Sequence, residues 1–278
     1  MADQSPSAPE MVTVEFAIGL AEGKFKASAI VPAGQTNLTQ ILPVIQSLED
    51  SLIEGVSAQL AEAGKPVSCK VGCAHCCRQL VALNLFEAEA LAAWIQTLPE
   101  SRRQHLAERF HQTLLKISAA GLLERMVNED WIVESNTAEK LALDYLYQRI
   151  DCPFLEDEQC SIYPMRPLLC REYMVTSAPE HCIDPAAGQN EPVRLPLLFS
   201  LSMQSIASEL ESDSRGWIPL LFLFAWMKAG AHPGEAVAGT GPEVLYEFVR
   251  RLDSARLHSP APEPTRGASP QPTNTPEI

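Results

Sequence analysis

The placement of cysteines constrains this chain more than any other feature. Seven of its eight thiols fall in two stretches. Cys69, Cys73, Cys76 and Cys77 lie in CKVGCAHCC, and Cys152, Cys160 and Cys170 lie in CPFLEDEQCSIYPMRPLLCREY. Cys182 follows in Glu180-His181-Cys182. Free cysteine packs as a small apolar residue, but four thiols this close together, flanked by Lys70 and Arg78, make a poor core pattern. Cys73-x2-Cys76 lets two sulfurs of one tight loop reach one ion, and Cys69 can supply a third ligand. Gly72 frees the backbone, as a metal-binding turn often requires. Cys77 adjoins Cys76, and neighbouring side chains normally point apart, so Cys77 is expected to serve a second metal, to bridge, or to sit in the core. In the second stretch Phe154, Leu155, Ile162, Leu168 and Leu169 can pack around the thiols and limit water.

The cations near these thiols matter because a four-thiolate metal carries net negative charge that burial makes costly. Arg166 and Arg171 are therefore candidate cofactor-binding residues. The alternative is that they pair with Glu156, Asp157 or Glu172. His75 and His181 sit beside cysteines and are expected to be outer-sphere or exposed more often than ligands.

Charge and hydropathy narrow the class of partner. The formal charge is −14, from 35 acidic and 21 basic residues. Such a surface repels a phosphate backbone, and the densest basic groups are the pairs Arg102-Arg103 and Arg250-Arg251, so no nucleic-acid partner is expected. Residues 1–10 lack a basic start and an apolar run, so no secretory leader is expected. The most apolar run, Trp217 to Met227, is too short to cross a bilayer of roughly 30 Å and reads as a buried core helix. No membrane partner is expected, and the chain reads as cytoplasmic, where thiols stay reduced and favour metal or redox chemistry over disulfides.

The fold class expected is mainly α with a small N-terminal β-hairpin (α+β), with irregular cysteine-rich loops forming the metal centre. Val12, Val14 and Phe16 alternate with polar residues, as do Phe25, Ala27, Ala29 and Val31, around a turn at Glu22-Gly23. Leu38, Ile41, Ile45, Leu48 and Leu52 make one helical stripe, capped by Asn37 or Thr39 and stopped at Gly64 and Pro66. Further helices are expected near 86–97, 100–119, 136–149, 196–211, 216–229 and 242–257. A short one is allowed near Tyr163–Glu172, where Pro164 and Pro167 limit it. Residues 183–195 read as loop. Residues 1–10 and the Pro-, Ser- and Thr-rich stretch 259–278 read as disordered tails around a single domain over 11–258.

The two stretches together resemble the YkgJ-like cysteine-cluster family, associated with zinc or iron chelation. That family shows a C-x2-C-x2-C-C block and, far downstream, a block close to C-P-x-L…C-x-I-Y-x-x-R-P-x-x-C-R. Here Cys73-x2-Cys76-Cys77 matches the first, with Cys69 one residue further upstream than is common. Cys152, Pro153, Leu155, Cys160, Ile162, Tyr163, Arg166, Pro167, Cys170 and Arg171 match the second. The flanking helices are similar to those of longer bacterial members. The family is also similar to flagellin lysine methylases, which carry related cysteine blocks. The resemblance implies metal binding, and an iron–sulfur-dependent or SAM-dependent methyl transfer more faintly. The Cys-x3-Cys-x2-Cys spacing is shared with radical SAM enzymes too, but a series of βα units is missing from the pattern.

Three functions follow. The first is a metal-binding protein with an iron–sulfur or zinc centre, for which all eight cysteines are candidate ligands. The second is an iron–sulfur enzyme. The third is an acidic module with a structural zinc, engaging a protein partner. Both metals accept all-thiolate sites, and adjacent Cys76-Cys77 with a surplus of thiols tips the reading toward iron.

Overall fold

The computed structural model describes residues 9–21, 23–128, 135–210, 216–230 and 236–255. The expected tails lie outside these residues, apart from Pro9 and Glu10, which are exposed and irregular. Among the described residues the architecture is mainly helical with four small antiparallel strand pairs, in agreement with the expected class.

Strands β1 (Met11–Gly19) and β2 (Lys24–Pro32) form the hairpin. Its register pairs Val12 with Val31, Val14 with Ala29, Phe16 with Ala27 and Ile18 with Phe25, so the alternating apolar residues share one face. Strand β3 (Gln35–Asn37) precedes helix α1 (Leu42–Glu62). The helix starts later than its apolar stripe suggests, because Pro43 occupies its first turn and no side chain caps it. Asn37 instead accepts the amide of Gln40, and the Thr39 hydroxyl donates to Glu89. At the far end Gly64 takes φ +77°, and the Lys65 amide reaches back to the Leu60 carbonyl, a left-handed helix stop.

After the first cysteine stretch, β4 (Ala82–Asn84) leads into α2 (Leu85–Thr97), α3 (Glu100–Ala119), α4 (Leu123–Val127) and α5 (Ser135–Tyr147). The second stretch holds the short pair β5 (Leu155–Glu156) and β6 (Gln159–Cys160), a 3-10 turn over Tyr163–Met165 and α6 (Leu168–Glu172). Pro167 separates the last two, as proline there requires. The 183–195 segment is loop with a 3-10 turn at Pro185–Ala187. Helix α7 (Phe199–Leu210), strand β7 (Trp217–Pro219), α8 (Leu223–Ala229), β8 (Ala238–Thr240) and α9 (Gly241–Ala255) complete the order.

The continuous helix expected over 216–229 is corrected. Trp217–Pro219 pairs with Asn84–Ala82, a 3-10 turn follows at Leu220–Phe222, and only then does α8 begin. Pro219, which cannot donate an amide inside a helix, sets that break.

The apolar face of the hairpin packs with α1, α7 and α9 in one cluster containing Val31, Ile45, Phe199 and Phe248. A second cluster joins α2, α3 and α8 through Leu91, Leu106, Phe110 and Leu223, and takes in Phe154 and Ile162 of the second cysteine stretch. There Phe110 meets the Phe154 ring edge-on at 5.3 Å. A third joins the end of α3 to α4 and α5 through Ile117, Met126 and Tyr145. The second cysteine stretch is thus pinned to packed helices.

Candidate metal centre

The first stretch turns tightly. Gly72 sits at φ +88°, where a Cβ would be strained, and the Cys73 amide closes the turn on the Lys70 carbonyl at 3.0 Å. A 3-10 helix, His75–Arg78, then carries Cys76 and Cys77. Upstream of Cys69, the Ser68 amide donates to the Val175 carbonyl and its hydroxyl to Thr176. The second stretch meets the first through its backbone: the Cys152 amide donates to the Cys77 carbonyl at 2.8 Å.

Three arginines that look like ordinary surface residues in the sequence brace the site: Arg78 ties the first stretch to the second, and Arg102 and Arg109 tie the second to α3. Arg78, next to Cys77, contacts Asp151 through Nε at 2.8 Å and Glu158 through Nη2 at 2.8 Å, and donates to the Ala74 carbonyl. From α3, Arg109 donates to the carbonyls of Pro153 and Leu155, and Arg102 forks onto Glu156. Between β5 and β6, Asp157 and Glu158 take φ +49° and +57°, the two-residue turn that matches strand twist. That turn sets Cys160 opposite Leu155.

Cys69, Cys73, Cys76, Cys77, Cys152, Cys160 and Cys170 line one cavity of about 590 Å³, together with Arg166 and Arg171. Cys182 is not among its lining residues. It is 3% exposed, with its sulfur 3.8 Å from the Asn190 amide oxygen, and Asn190 in turn donates to the hydroxyl of cavity-lining Tyr173. His75 does not line the cavity, and His181 pairs its Nδ1 with the Gln189 carbonyl. Cys76 and Cys77 do not point apart as expected. Their side chains hydrogen-bond each other.

The cavity's electrostatics are set by burial and by that pair. The Cys77 thiol donates to Cys76, which brings Cys76 down to about 7 and pushes Cys77 up. Burial raises Cys69, Cys160 and Cys170, and takes Cys152 up to about 12 and Cys182 to about 11. The Arg166 charge works the other way on Cys69, Cys76 and Cys160. A metal taking these sulfurs displaces protons, so loading strengthens as pH rises.

The two cavity arginines do not use the acids expected of them. Arg171 is 4% exposed and places Nη1 2.7 Å from both oxygens of Asp50, with further bonds to the carbonyls of Pro164 and Arg166. Glu156 pairs with Arg102, and Glu172 accepts the amide and hydroxyl of Ser200. The Arg166 guanidinium lies 4.0 Å above the Tyr163 ring, and its buried Nε has no hydrogen-bond partner.

Behind Arg171 stands a nest of buried carboxyls, Glu49, Glu87 and Glu172. Glu87 accepts the Leu168 amide at 2.7 Å, which fixes the start of α6 and the position of Cys170. Burial holds its carboxyl up at about 7. Asn84 caps α2, its side-chain oxygen accepting the Glu87 amide at 3.0 Å and its side-chain N–H donating to the Glu87 carboxylate, and an Asn at that spacing was readable in the sequence as a cap.

The donor set fits a thiophilic metal: sulfur ligands from two braced stretches, a buried guanidinium N–H without a partner, and apolar packing around them. Among the described residues no three side chains of His, Cys, Asp or Glu stand close enough to hold one metal ion. The thiols surround a space instead of converging on a point.

No curated protein and no solved structure matches the chain. Residues 68–185 match the family model CxxCxxCC, described as "Putative zinc- or iron-chelating domain". That segment holds all eight cysteines. Over residues 68–185 this chain is similar to the CxxCxxCC cysteine-cluster family.

Proposed function

We propose that this protein binds a thiolate-ligated iron–sulfur centre in the cavity between its two cysteine stretches. The observation that carries the reading is the seven cysteines lining one cavity. A single zinc ion with sulfurs at about 2.3 Å needs neighbouring sulfurs only about 3.8 Å apart. A cluster spreads its thiolates over a wider ring, which agrees better with sulfurs around an open space and with the absence of a tight triad among the described residues. Cys73, Cys76, Cys152, Cys160 and Cys170 are the ligands on which the proposal relies, with Cys69 and Cys77 in reach. Cys182 is assigned a supporting place behind the wall. When bound, the centre supplies redox or Lewis-acid chemistry. The protein's own part is to present the sulfurs, to compensate their charge through Arg166, and to hold Cys170 through Glu87.

The reading places the protein in the cytoplasm, where the thiols stay available, as one domain over 11–258, with no nucleic-acid partner. No helix of the described residues is long and apolar enough to cross a membrane. Purification without oxygen, followed by iron, zinc and acid-labile sulfide analysis, tests the proposal. Brown protein absorbing near roughly 400 nm, with iron and sulfide in comparable amounts, is expected. Colourless protein with stoichiometric zinc would replace the cluster by zinc, and protein free of both metals would overturn the function.

A further inference from the structure

The cavity is larger than a metal centre requires, and one side of it has no ligand to offer. Its volume of about 590 Å³ lies within the range of about 300–1,000 Å³ typical of sites for small organic molecules. Helix α1 lays Ile53, Ser57 and Ala61 along it, one every four residues, and Val67 continues that wall. These residues are distinct from the α1 stripe of Ile45, Leu48 and Leu52 that fills the core. A metal at the sulfurs leaves the α1 wall without a function.

Arg166 is the second observation. In a chain of charge −14, Arg78, Arg102, Arg125, Arg171 and Arg251 each find a carboxylate. Arg166 instead stacks on Tyr163 and leaves Nε buried without a partner. Stacking fixes the plane of the guanidinium, and Arg166 lines the cavity. Two N–H groups side by side on a guanidinium match a planar carboxylate or two oxygens of a phosphate ester.

We infer that the cavity is a binding site for a small organic anion, whose carboxylate or phosphate headgroup is held by Arg166 and whose apolar body lies on the Ile53–Ser57–Ala61 wall. This goes beyond metal binding and does not depend on which metal the sulfurs take. The site is then composite: sulfurs on one wall, an organic ligand on the other.

Calorimetric titration of the purified, metal-analysed protein with 4-phenylbutyrate, phenyl phosphate and the uncharged 4-phenylbutan-1-ol tests the inference. At least one anion is expected to bind with a Kd of about 1 mM or tighter, and the alcohol about tenfold more weakly. Arg166→Gln is expected to weaken the preferred anion about tenfold or more, the loss of one charge-assisted pair. Ser57→Phe, which fills the thiol-free wall, is expected to abolish binding while metal content and melting temperature stay as in the wild type. Preference between the two anions identifies the headgroup. Absence of binding by either anion at about 10 mM, or equal affinity in the Ser57→Phe protein, would overturn the inference, as would unchanged affinity in a folded Arg166→Gln protein. Protein that takes up no metal but still binds an anion through Arg166 would sink the metal reading and leave this one standing.

Discussion

Glu49 offers the sharpest test of how the core behind the metal centre is built. It lies in α1 with its side chain fully buried, between Leu48 and the ion-paired Asp50. Its oxygen is 3.7 Å from Arg171 Nε, too far for a hydrogen bond, while Glu172 and Glu87 crowd it with like charge. Burial and those neighbours raise its carboxyl from an ordinary 4.5 to about 11. Among the described residues neither of its oxygens has a hydrogen-bond partner, as a buried carboxylate would require. Between those two values the folded state holds one proton more than the unfolded chain. Stability therefore falls as pH rises, by about 1.4 kcal/mol per unit from this group alone. Glu49→Gln keeps the shape and cannot ionise. The variant is expected to gain on the wild type by about 2.7 kcal/mol from about pH 6 to about pH 8. Other titrating groups are shared by both proteins and cancel in the difference. Urea unfolding at several pH values measures it. A stability difference that is flat with pH, or that favours the wild type as pH rises, would refute a neutral Glu49.

Three further outcomes are expected. Arg171→Met removes the partner of Asp50 and strands the carbonyls of Pro164 and Arg166, and is expected to cost about 3–5 kcal/mol by chemical unfolding; a loss below about 1 kcal/mol would show the cluster is not structural. Arg78→Ala is expected to cost only about 1–2 kcal/mol, because Asp151 and Glu158 are largely exposed, yet to lower metal occupancy on dialysis against a chelator. In metal-free protein Cys76 is expected to alkylate with a midpoint near its value of about 7, read by mass spectrometry against pH, and Cys77→Ala to move that midpoint upward by removing the donated hydrogen bond.

The hairpin was legible because a period of two places Val12, Val14 and Phe16 on one face whatever they meet. Helices α2, α3 and α9 were legible from their periodicity for the same local reason. Strand β7 was not, since Trp217–Pro219 is extended only because Ala82–Asn84, far away in sequence, is there to pair with it. The cysteines announced candidate ligands, and seven of them do line one cavity. Nothing in the local pattern announced how the stretches are braced, because Arg102 and Arg109 read as the polar face of an amphipathic helix. Glu49 was hidden likewise: a carboxylate inside a helical stripe reads as a boundary residue until Arg171 and Glu172 are seen beside it.

The turn at Asp157-Glu158 carries a backbone cost. A glutamate at φ +57° occupies a position where glycine would cost less, and the carboxylate it offers to Arg78, eighty positions earlier, offsets part of that cost. Without the arginine, the glutamate would hold its left-handed turn conformation with no ion pair to offset it.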